Sequence, residues 1–174
     1  RRELLEEGKE VLELIKVYAD FVFDIYEKDA LTCEQFPDIE TNFMALVNGE
    51  DSHYDVYDGD ARIISGTGKE VARFDPNYYY EHIQEAVSDH SSTKVPYYKP
   101  EGVNGNLRVG PLARLNVASR IPFDVAAEYE ERYLKLFPRP CIQVQGFNLA
   151  RIPELIAGQE EVIQLLEDPG ITNT

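Results

Sequence analysis

The ten residues Leu107-Arg108-Val109-Gly110-Pro111-Leu112-Ala113-Arg114-Leu115-Asn116 constrain the fold of this chain more than any other stretch. A Gly-Pro pair stands between a short extended segment and a helix-like one. Glycine allows close backbone approach and proline fixes φ. The run therefore predicts an abrupt turn that holds Arg108 and Arg114 in a defined orientation, with Asn116 just after them. The role expected of these arginines is to bond carbonyls and carboxylates inside a fold.

The rest of the chain divides by periodicity. Leu4, Val11/Leu12, Ile15, Tyr18/Ala19, Val22 and Ile25/Tyr26 recur at three- and four-residue steps, with acids opposite, so residues 1–29 read as one long helix whose apolar stripe needs a partner. Between 42 and 74 the pattern shortens. Phe43–Val47, His53–Tyr57, Ala61–Ile64 and Val71–Phe74 are separated by Asn48-Gly49, Asp58-Gly59 and Gly66-Thr67-Gly68, which predicts four strands of an antiparallel meander.

Residues 75–174 read as mainly helical. Asp75-Pro76 is a helix start, with the helix running through Tyr78–Val87 and a Ser-, Pro-, Gly- and Tyr-rich loop from Ser88 to Asn106. Pro122 opens a further helix to about Phe137, and a last one spans Ile142 to about Glu167, bent at Pro153 and Gly158. The class is α+β: a helical bundle-like core with a small antiparallel β-meander inserted after the first long helix. The 174 residues suffice for a single domain or for the central fragment of a larger chain. The first residue is not methionine, which favours a fragment.

Charge and composition exclude several functions. Seventeen basic against 32 acidic residues give a formal charge of −15, with no Lys/Arg cluster, so no nucleic-acid partner is expected. No run of about 18 apolar residues exists, so no membrane span is expected. Cys33 and Cys141 are far apart and outside any Cys-x-x-Cys motif, and read as reduced thiols of a cytoplasmic protein. His53, His82 and His90 show no paired ligand spacing, and Asp55, Asp58 and Asp60 lack the later glutamate of a calcium loop. No Gly-x-Ser-x-Gly elbow or phosphate loop occurs. Catalytic, cofactor-binding and metal-ligating residues are therefore all expected to be absent from this chain.

The Arg108–Asn116 run resembles a segment of the large (alpha) subunit of nickel–iron hydrogenases, and other stretches are similar to that family in the same order. They include Phe36-Pro37 with Asn42–Val47, Tyr57-Asp58-Gly59 with Ala61-Arg62-Ile63, and Asp75-Pro76 with Tyr78–Tyr80. Lys94 with Pro96-Tyr97 and Leu165–Pro169 complete the set. The resemblance is nearest to the cytoplasmic branch of NAD-, deazaflavin- and viologen-reducing enzymes. It marks Arg108, Gly110, Pro111, Arg114, Asn116, Lys94 and Tyr97 as structural family positions. The family holds nickel and iron through two Cys-x-x-Cys pairs; neither is present, so no ligand is carried over.

What the resemblance implies is the central structural portion of such a subunit, inactive alone. Its full-length parent would oxidise H2 reversibly at a nickel–iron centre and pass electrons to a soluble carrier. The partners implied are the remainder of the large subunit, an iron–sulfur small subunit and electron-transfer subunits. The competing expectation is a stand-alone, cofactor-free binding or assembly module derived from that large subunit.

Overall fold

The long first helix does form, and it is apolar on two sides rather than one. The structure, a computed structural model, describes residues 1–28 and 36–172. The expected helix end at residue 29 and Cys33 lie outside the described residues. The class is α+β, with a small antiparallel sheet following the first helix. Two compact units divide the chain: a helical one within 1–37, 121–138 and 143–174, and a sheet unit comprising 38–120 and 139–142. No described helix is long and apolar enough to cross a membrane.

In the helical unit, α1 (Arg2–Lys28) buries Gly8, Ala19 and Phe23, whereas Leu4, Val11, Tyr18 and Ile25 of the sequence stripe are exposed. The other helices are α4 (Asp124–Leu136), α5 (Val144–Leu149) and α6 (Arg151–Glu167). Gly8 admits α6 closely, and Gln159 Nε2 donates to its carbonyl at 2.9 Å. Phe23 is fully buried beneath Tyr129, ring centroids 5.7 Å apart, and the Arg132 guanidinium lies 4.8 Å above its ring. From α4, Arg132 forks onto Asp20, Asp24 and Glu27 of α1 at 2.6–3.1 Å. A planar guanidinium serves three carboxylates here in a way that lysine's point charge cannot.

The sequence leaves the start of α4 without a side-chain cap of its own at Phe123. Glu160 of α6 supplies it, accepting from the amides of Val125 at 3.0 Å and Ala126 at 2.7 Å. These are orphan donors of a first helical turn, where negative charge is also favoured. The expected single bent helix over 142–167 is two helices, α5 and α6, parted at Ala150. Pro153 is the third residue of α6, where a backbone N–H would have no intrahelical acceptor.

In the sheet unit, β1 (Asn42–Asn48) alternates half-buried and buried side chains. Its neighbours are β2 (His53–Tyr54), β3 (Asp60–Ile64) and β4 (Glu70–Phe74), in the order β2-β1-β3-β4. Pairings such as Val47↔Tyr54, Leu46↔Ala61 and Ala61↔Phe74 set the register. β2 is shorter than its sequence suggests because Asp55 Oδ1 accepts the amides of Tyr57 and Asp58, closing a turn. Gly59 follows at φ 104°, where a side chain would run into the Val47 carbonyl.

The stretch after β4 departs most from expectation. Asp75 does cap a helical start, accepting from the Asn77 amide at 2.9 Å. The helix ends after α2 (Tyr79–His82), and residues 83–98 form a hairpin, β5 (Ile83–Ser88) with β6 (Ser91–Tyr98). Ile83, Val87, Thr93 and Val95 are β-branched, a preference that outweighs the helical reading of this segment.

The Arg132 fork makes stability pH-dependent in a stated direction. Its hydrogen bond to Glu27 holds that carboxyl below its ordinary 4.5. Because the folded pKa is depressed, the stability it contributes is complete above that value and lost as pH falls through the lowered one. Burial, with the bond to Asp20, pushes the Tyr129 hydroxyl up to about 12, so its contribution is complete below 10 and lost as pH rises through 12. Thermal melts should show the melting temperature falling on the acid side. Arg132→Ala should lower the melting temperature near neutral pH and flatten that acid fall; curves that stay parallel would contradict the assignment.

Candidate functional site

The run Leu107–Asn116 forms the strand-to-helix turn its sequence implies. β7 (Leu107–Arg108) pairs in parallel with the start of β1, Asn42↔Leu107 and Phe43↔Arg108. This pairing sets the Arg108 guanidinium 5.9 Å from the centroid of the buried Phe43 ring. Gly110 follows at φ 89°, a conformation that L-residues other than glycine rarely adopt. Pro111 then opens α3 (Pro111–Val117), whose first-turn amide from Arg114 bonds the Gly110 carbonyl at 3.0 Å.

Asn116 is the most constrained polar group here. It is 6% exposed, and its side chain bonds both backbone groups of Cys141. Nδ2 donates to the Cys141 carbonyl at 2.9 Å, and Oδ1 accepts the Cys141 amide at 2.8 Å. Cys141 lies on a short strap, residues 139–142, whose far end is fixed as well, because the Ile39 amide donates to the Ile142 carbonyl.

Two arginines finish the end of α3. Arg62 Nη1 donates to the Val117 carbonyl at 2.8 Å while its Nε bonds Glu70. Arg139 donates to the carbonyls of Leu115 and Ser119. The last carbonyls of a helix lack intrahelical donors and carry its negative dipole end, so two cations there satisfy both needs. Sequence reading missed Arg62 and Arg139 in this role. The one signal was the Pro138-Arg139-Pro140 punctuation, which marks a fixed chain direction and not a partner. A polar cavity of about 320 Å³ lies among Arg62, Thr67, Gly68, Asn116 and Arg139.

The remaining family positions scatter. Arg114 lines an apolar groove with Met44, Leu46, Phe74, Tyr79 and Ile83. Lys94 sits out on the hairpin, paired with Glu85 across it at 2.9 Å. Tyr97 stays nearer, in a bridge with Asn106 just before β7. Among the histidines, His53 bonds Asp51, His90 bonds Ser88, and His82 stacks on Phe74 at 3.9 Å. Asp55, Asp58 and Asp60 serve turns and an Arg73 pair. Among the described residues no three His, Cys, Asp or Glu side chains gather as a metal site would need. Cys141 is buried at 3% exposure. The donors around α3 are directed at backbone carbonyls, an arrangement that builds a scaffold.

Comparison with known proteins points one way. The vhu A-subunit of the F420-non-reducing hydrogenase of Methanocaldococcus jannaschii is 35% identical over 177 residues, covering 99% of this chain and 41% of that protein. The beta subunit of the NAD-reducing hydrogenase HoxS of Cupriavidus necator is 34% identical over 172 residues, covering 95% of this chain and 35% of its own length. The crystal structure of an NAD+-reducing [NiFe]-hydrogenase in the H2-reduced state superposes with TM-score 0.91 at 29% identity, covering all of this chain and 39% of that one. The chain thus spans about two-fifths of the length of the curated relatives it matches. No protein-family model matches it.

These findings correct three expectations. The relatives are designated A-subunits or a beta subunit, and one, from Archaeoglobus profundus, is designated an iron–sulfur A-subunit. None is designated a large or alpha subunit, so the assignment to the central portion of the nickel–iron large subunit is replaced by similarity to these proteins. The nickel–iron centre implied with it is corrected too, since iron–sulfur is the cofactor that a relative's name prints. The stand-alone, cofactor-free module finds no support, because these relatives are hydrogenase subunits matched along nearly this whole chain. The physical reason is that the shared run is a turn-and-packing element, and such elements report a scaffold more directly than its chemistry.

The donor set of the described residues does not match an iron–sulfur cluster. Such a cluster takes four thiolate or imidazole ligands. The chain has two cysteines, and the backbone of Cys141 is clamped by Asn116 in a buried setting. Among the described residues, no three His, Cys, Asp or Glu side chains gather, and Cys141 is buried, so these residues do not assemble the ligands of a cluster.

Asn116→Ala would leave the Cys141 amide and carbonyl without their partner and is expected to cost about 2–4 kcal/mol in urea denaturation. Asn116→Asp keeps the acceptor but turns a carboxylate toward the Cys141 carbonyl. It should be destabilising at neutral pH and recover as acid protonates it, since a carboxyl neutral in the fold loses stability as pH rises. A loss under about 0.5 kcal/mol for the alanine variant would show the clamp to be incidental.

Proposed function

We infer that this chain is a segment of a hydrogenase subunit, of the kind called the A-subunit in F420-non-reducing enzymes and the beta subunit in the NAD-reducing enzyme. The observation that carries this reading is similarity running along 99% of the chain, accompanied by a superposition at TM-score 0.91. Within an oxidoreductase assembly acting on H2, the segment's role is scaffolding. Gly110 and Pro111 turn the chain, Arg108 packs on Phe43, and Asn116 with Arg62 and Arg139 locks α3 against the 139–142 strap. Arg114, Lys94 and Tyr97 belong to the surrounding surface and hairpin. The partners of this reading are the remainder of that parent protein and companion hydrogenase subunits, among them iron–sulfur ones.

The test is recovery from the source cell under native conditions with an antibody raised against this chain. The precipitate should carry H2-dependent reduction of a viologen dye and contain further hydrogenase subunits by mass spectrometry. Recovery of the antigen with neither would overturn the reading.

A further inference from the structure

We draw no further inference here: the strongest candidate, the polar cavity beside α3 lined by Arg62, Thr67, Asn116 and Arg139, belongs to the site already described, and its two guanidiniums already donate to Glu70 and to the carbonyls of Val117, Leu115 and Ser119.

Discussion

The sheet unit depends on one side chain reading one backbone. Asn116 presents a donor and an acceptor to Cys141 at 2.9 and 2.8 Å, and so returns the 139–142 strap to the end of α3. With the strap in place, Arg139 reaches the carbonyls of Leu115 and Ser119, and Ile142 offers its carbonyl to the Ile39 amide. A seven-residue helix has few internal hydrogen bonds, so its survival rests on how its ends are finished. Gly110 and Pro111 finish one end, while Arg62, Arg139 and the strap finish the other. An amide is the side chain that supplies both halves of this pairing without a charge to bury.

In the helical unit the corresponding ties are made by charged side chains reaching between helices. Arg132 answers three carboxylates from above Phe23, and Glu160 answers the open amides of α4 from a different helix. Both devices spend part of a strongly acidic sequence on structure.

Local chemistry was legible in the sequence wherever one residue decides one turn. Asp75 capping a helix, Asp58-Gly59 turning the chain into β3 and Gly110-Pro111 opening α3 all read correctly, because the cause lies within a few residues of the effect. What failed needed knowledge of neighbours. The hairpin at 83–98 lay hidden behind a genuine cap that serves little more than one turn. The stripe of α1 was visible, but a pattern cannot say which of two apolar faces its neighbours cover. Arg62, Arg139 and Glu160 carry no local mark of the carbonyls and amides they meet. The Arg108–Asn116 run likewise resembled hydrogenases while naming the wrong subunit and cofactor, since a turn-and-packing element reports a scaffold more directly than its chemistry.

Amide hydrogen exchange at Cys141 tests the central claim most directly. The residue lies outside every helix and strand, and ordinary strap amides exchange quickly. The account predicts that its amide, held by Asn116, exchanges as slowly as the β1 core amides, through opening of the whole unit. Exchange at the rate of an unprotected loop would contradict it.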